Sequence, residues 1–216
     1  MVNRLDGKIG FPDAVGLYDP TQERDACGVG FVANIKGVAS HGILADAYHV
    51  NSRMDHRGGC GFEENTGDGA GIHVQIPVPF FYDQVRRTGH EPDVKKLIAV
   101  GQVFLPRTDF GAQERCRTIV ETEVLRMGHY IYGWRQVPVD VSVIGEKANA
   151  TRPEIEQILF YDPRGRSAEE LERTLFICRR RIEKRALASS VSGFYVCSFS
   201  SKSVIYKGMF LAESID

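Results

Sequence analysis

The sequence predicts an α+β fold, and three observations carry that prediction. Three long stretches, 41–55, 112–127 and 168–186, repeat apolar residues at three- and four-residue spacing, as amphipathic helices do. Several shorter runs, among them 71–80, 97–106 and 153–163, have the length and apolar content of strands. These runs do not alternate regularly with helices as βαβ units would, so antiparallel sheets covered by helices fit better than a doubly wound parallel sheet.

The composition sets bounds. With 216 residues, 43% hydrophobic and 25% charged, the chain can bury one sizeable core. A net charge of −1 gives no electrostatic case for nucleic acid or an anionic membrane as a partner. No apolar run is long enough to span a membrane. The N-terminal residues lack a signal-peptide apolar core and are not rich in Arg and Ser, so the cytoplasm or a plastid or other organelle stroma is expected, not secretion. Cys27, Cys60, Cys116, Cys178 and Cys197 are widely spaced with no CxxC pair, and the six histidines form neither HExxH nor HxH. Neither a disulfide framework nor a metal site is therefore expected.

Taken in order, residues 1–26 are rich in Gly, Pro and Asp, have no hydrophobic periodicity, and read as a leader. Residues 27–36 read as a first, buried strand whose glycines 28 and 30 let backbone pass close to a neighbour. Ser40 is a suitable N-cap for a helix with Ile43, Leu44, Ala47, Val50 and Met54 on one face. Between 58 and 71 glycine recurs at 58, 59, 61, 67, 69 and 71, which excludes regular helix. This loop matches neither GxGxxG nor GxxxxGK[ST], but His56, Arg57, Glu63, Glu64, Asn65 and Asp68 crowd it, and polar loops between regular elements tend to carry function. A plain flexible connector is the competing reading.

A strand at 71–80 ends at Pro77 and Pro79, a short helix follows near 80–89, and 97–106 reads as a buried strand. The helix at 112–127 turns Cys116, Ile119, Val120, Val124 and Met127 inward. A strand at 130–140 is interrupted by Gly133 and Pro138, and 141–145 is short and apolar. After the strand at 153–163, Ser167 and Glu170 form a capping box that opens a helix with Leu171, Leu175, Ile182 and Leu187 inward. The run RRRIEKR sits on its polar side among glutamates and reads as a solvated face, not a nucleic-acid patch. Two last strands flank Ser200-Ser201-Lys202 and read as a hairpin.

Cys27 admits two readings. It is a buried structural thiol opening a core strand, in keeping with the usual burial of free cysteine. Alternatively the chain is cut before it, which would place a thiol and a free α-amine on one residue. With pKa values of about 8.5 and about 8, such a pair can serve as nucleophile and base.

Four blocks decide between these. GLYDPTQERDACGVGFVANIKG, MDHRGGCGFEENTGDGAGI, ETEVLRMGHYIYGWRQVPVD and VIYKGM span residues 16–209 in one order. Together they resemble the amino-terminal class II glutamine amidotransferase domain of glutamate synthase, an N-terminal-nucleophile hydrolase. The resemblance implies an αββα four-layer sandwich, a leader at 1–26 that is removed, and a partial amidotransferase domain over 27–216. It implies that Cys27 is the catalytic nucleophile and that Arg57 holds the α-carboxylate of L-glutamine, a contact suited to a bidentate guanidinium. Asp68, with Gly67 and Gly69, would hold the glycine-rich loop in shape. The family usually reads HRGA where this chain has HRGG, so Gly59 departs from the pattern.

The implied reaction is hydrolysis of glutamine to glutamate and ammonia, for transfer to 2-oxoglutarate in glutamate biosynthesis and ammonia assimilation. The family's oxyanion donors come from an Asn-Gly pair beyond the VIYKGM block, and the chain contains no Asn-Gly dipeptide. The expectation is therefore a fold incomplete at the C-terminus, partnered by the remaining glutamate synthase domains. FMN and an iron–sulfur cluster are implied for the full-length oxidoreductase and no cofactor for this segment. A non-catalytic relic or interaction module, or a different class II amidotransferase, are the alternatives.

Overall fold

A computed structural model describes residues 14–19, 27–59 and 63–215. Most of the expected leader lies outside the described residues. Of it, Val15 and Tyr18 face each other across a tight turn.

The core is a four-stranded antiparallel sheet in the order β3-β4-β2-β5. β2 (Ile98–Leu105) and β4 (Glu154–Tyr161) are its central pair, with β3 (Tyr130–Gln136) and β5 (Tyr195–Ser200) outside them. Alternation along the strands gives the sheet two faces. On one, Ala99, Val103, Leu105, Ile158, Phe160, Val196 and Phe199 pack on helices α3 (Phe110–Arg126) and α5 (Ala168–Ala188). On the other, Ile98, Val100, Leu159 and Tyr132 cover Phe81 and Val85 of helix α2 (Val78–Arg87).

A second sheet has two antiparallel strands, β1 (Ala70–Gln75) and β6 (Ser203–Gly208). It meets the large sheet on a polar row that crosses all four strands, Arg135, Gln157, Gln102 and Ser198. Arg135 Nη1 donates to Gln157 Oε1 (2.9 Å), and Gln157 Nε2 donates to Gln102 Oε1 (2.8 Å) and to Tyr206 Oη on β6 (3.2 Å). The Ile205 amide donates to Ser198 Oγ (3.2 Å). The buried amides are thus satisfied across strands and between sheets, which makes burying them tolerable.

α1 (His41–Ser52) and α5 begin where the sequence predicts. Ser40 Oγ accepts from the Ile43 amide ahead of α1, and the Ser167–Glu170 capping box opens α5. α3 buries Cys116, Ile119, Val120 and Val124, and Met127 packs against the same cluster. The α5 arginines are solvated and paired. Arg181 and Arg185 reach Glu123, as Arg126 does, and Arg179 and Arg180 reach Glu183.

Three expectations are corrected and one element is added. Residues 27–36 form no strand. A strand needs a partner for its amides and carbonyls, and this segment carries no ladder among the described residues, leaving Val29, Phe31 and Ile35 exposed. The last two strands are no hairpin, because β5 pairs with β2 while β6 pairs with β1. The Ser200-Ser201-Lys202 corner carries the chain from one sheet to the other, held by Glu172, which accepts from the Ser201 amide and from both serine hydroxyls. Leu187 is 82% exposed and Ala186 buried, since the buried positions 171, 175, 178, 182 and 186 follow the helical period and 187 lies about 100° off it. Residues 146–151 add a short helix, α4 (Glu146–Thr151), that periodicity did not reveal because no residue of it is buried.

Candidate active site

Cys27 carries an exposed thiol, so the reading of it as a core residue does not hold. The segment that follows packs along α1. A Cβ at Gly30 would overlap the Val50 side chain, which is the close backbone approach that its glycine signalled. α1 ends at Ser52, and a single 3₁₀ turn, Asp55–Arg57, follows at once. The backbone of Arg57 is thereby placed at the mouth of the glycine-rich loop, while its side chain lies outside the described residues.

The loop is closed at its neck by the Asp68 amide, which donates to Gly59 O (3.0 Å). A Cβ at Gly59 would overlap the Asp68 carboxylate, so the HRGG spelling matches the room available. Gly69 has φ +115°, a backbone state that favours glycine, and a Cβ at Gly67 would stand 2.9 Å from Phe210 O. The TGDGAG block is therefore threaded against the end of the VIYKGM block, and Ala70 pairs with Gly208. Asn51 Nδ2 donates to Ala212 O (3.0 Å), fastening α1 to the same C-terminal segment.

Glu63, which the sequence offers only as one of several polar loop residues, holds the far side of the loop. Its Oε1 accepts from the Lys147 amide (2.9 Å), and its Oε2 accepts from Thr66 Oγ1 (2.9 Å) and the Ala148 amide (3.4 Å). Thr66 Oγ1 in turn accepts from the Gly145 amide (3.3 Å). The bond from Lys147 leads the causes that hold this carboxyl below the usual glutamate range. The family block at 130–140 is also built in. Trp134 Nε1 donates to Glu121 Oε1 (2.7 Å), and Arg135, over the Phe80 ring, bonds Gln84 and Gln157. Burial lowers the Arg135 pKa from its ordinary value.

The structure thus gathers the glycine-rich loop, the end of β6 and the start of α4, and leads α1 into Arg57. A cleft of about 350 Å³ lined by Gln136, Val137, Pro138, Val139, Arg152 and Glu154 contains none of the expected site residues. Among the described residues no group of three or more His, Cys, Asp or Glu could hold a metal ion. Nor is any of their helices long and apolar enough to cross a membrane.

The family model described as glutamine amidotransferases class-II matches residues 27–216, opening on Cys27. This chain belongs to the class II glutamine amidotransferases. Within that family it is 54% identical over 198 residues to the glutamate synthase [NADPH] large chain of Azospirillum brasilense, covering 92% of this chain and 13% of the relative. It is 39% identical over 206 residues to a ferredoxin-dependent glutamate synthase of Arabidopsis thaliana, covering 94% and 13%. With a ferredoxin-dependent glutamate synthase of Synechocystis it shares 43% over 190 residues, covering 87% and 12%. The amidotransferase chain spans about 13% of the length of the glutamate synthases it matches.

Proposed function

We propose that this chain is the glutaminase part of a glutamate synthase, with Cys27 as its nucleophile. The observation that carries the reading is the family match that opens on Cys27, a residue whose thiol is exposed. On this reading residues 1–26 are removed and Cys27 becomes the first residue. Its α-amine, directly or through water, takes the thiol proton, and the thiolate adds to the side-chain carbonyl of glutamine. Collapse of the tetrahedral intermediate expels ammonia, which carries off that proton, and leaves a thioester. Water then releases glutamate and the free thiol.

Arg57 holds the substrate α-carboxylate, and Asp68, Gly67 and Gly69 shape the loop beside it. The bond from the Asp68 amide to Gly59 O and the positive φ of Gly69 support that assignment. The larger sheet, with α3 and α5 on one face and the second antiparallel sheet meeting its other face, supports the four-layer sandwich of N-terminal-nucleophile hydrolases. FMN and an iron–sulfur cluster belong, on this reading, to other domains of the longer enzyme. The described residues offer no cluster of His, Cys, Asp or Glu that fits a metal. The enzyme would work in the cytoplasm or a plastid stroma, passing ammonia to 2-oxoglutarate.

Three measurements test the proposal. An immunoblot of source cells against residues 97–145 should give a band several times larger than 24.1 kDa. In that polypeptide Cys27→Ala should abolish glutamine-dependent glutamate formation while ammonium salts still support it, and Edman sequencing of the wild type should begin at Cys27. A band near 24.1 kDa would favour a non-catalytic module, and retained glutamine-dependent turnover in Cys27→Ala would overturn the nucleophile assignment.

A further inference from the structure

We infer that Glu63 is a positioning residue for the glutamine site, anchoring the glycine-rich loop to the start of α4 so that the Arg57 end of the loop is held in place. The inference rests on the amidotransferase reading above.

The geometry has three parts. First, one carboxylate joins segments 84 residues apart, accepting from the Lys147 and Ala148 amides that open α4. Those amides have no partner within the first turn of a helix, so an anion there satisfies donors that would otherwise be left to water. Second, Thr66 completes the clamp, donating to Glu63 and accepting from Gly145. Gly145 is the residue that permits it, because a Cβ there would overlap the Glu63 carboxylate and approach Thr66 Oγ1 to 2.7 Å. Third, the clamp is connected to Arg57 by a short path. Thr66 is followed by Gly67, wedged against Phe210, and by Asp68, whose amide bonds Gly59 O. Gly59 lies two residues after Arg57, and the Gly58 amide bonds Asp55 O (2.8 Å) to close the 3₁₀ turn that carries Arg57.

Freed from α4, the loop would keep only its neck and the packing of Gly67 on Phe210. A guanidinium fork that must meet a carboxylate in two parallel bonds tolerates little displacement, so the loss should fall on substrate binding. Glu63 itself need not touch glutamine for this.

The test compares Glu63→Ala, Glu63→Gln and wild type in the full-length polypeptide, reading kcat and KM for glutamine, melting temperature, and amide hydrogen exchange at residues 63–68 and 145–148. Glu63→Ala should raise KM roughly 10- to 100-fold with kcat changed far less. Exchange at both segments should quicken while the melting temperature of the large-sheet core holds. Glu63→Gln keeps one carbonyl acceptor for the Lys147 amide but loses a charged acceptor, so its KM should fall between the other two. Quickened exchange with KM unchanged would overturn the positioning role, since the clamp would then be structural only. Unchanged exchange would overturn the clamp itself. If wild type turns over no glutamine although exchange quickens in Glu63→Ala, the amidotransferase reading fails and takes the role toward glutamine with it, a result distinct from the other two.

Discussion

Acid sensitivity should centre on His129. The ring is buried against Phe160, with centroids 5.5 Å apart, and among the described residues neither ring nitrogen has a hydrogen-bond partner. Its nearest charge is Asp162, 3.6 Å from Nδ1, and that carboxylate is already engaged by Arg164 and Arg166. Burial is the leading cause that lowers the His129 pKa to about 4, with the attraction of Asp162 opposing it and the two arginines adding to the depression. The sign follows. Above the unfolded value of about 6.5 the ring is neutral in both states and adds no pH dependence. As pH falls from about 6.5 to about 4 the unfolded chain binds a proton that the folded chain refuses, so stability is lost by up to about 1.4 kcal/mol per pH unit. Over that window the loss approaches about 3 kcal/mol, a large fraction of the stability of an ordinary domain. Asp162 acts in a different range. Burial alone would raise its pKa, but the bond from Arg164 and the charges of Arg166, Arg164 and His129 hold it below the ordinary aspartate value. Its contribution is therefore lost only below about pH 4. The assay is urea unfolding at pH 7.5, 6.0, 5.0 and 4.5 for wild type and His129→Phe, which removes two unpartnered nitrogens and keeps a ring beside Phe160. Wild type should weaken steadily across the series and His129→Phe much less. A wild-type stability that stays flat from pH 6.5 to 4.5, or a variant with the wild-type slope, would refute the reasoning.

Two further outcomes are expected. Arg57→Lys should raise the glutamine KM about tenfold with little change in kcat, because a point charge cannot replace the two-pronged contact, and steady-state kinetics of the full-length polypeptide would expose an unchanged KM. Ser167→Ala should cost about 1 kcal/mol by removing the hydroxyl that accepts from the Glu170 amide and donates to the Glu170 carboxylate, leaving only the bond from the residue-167 backbone amide to that carboxylate, and denaturant titration would detect it.

The sequence by itself determined the longer helices and most strands of the large sheet. The capping serines, the burial of 116, 119, 120 and 124, and the strands near 98 and 154 all follow from local chemistry and a repeat that stays within one element. It also determined the family, through blocks whose spelling is specific. Tertiary structure alone decided how the strands were shared between sheets. A two-residue serine corner suits a hairpin and a crossing between sheets equally well, and the choice rests on which partners β2 and β1 offer. For the same reason residues 27–36 have a strand's composition without forming one, because pairing is a property of two segments.

The site divides along the same line. Cys27, Arg57 and the glycine-rich loop, the residues proposed for the site, stand out in the sequence because their residue types are unusual in their setting. Glu63 was not, because its partners are backbone amides 84 residues away that carry no side-chain signal, and only folding brings the loop to α4.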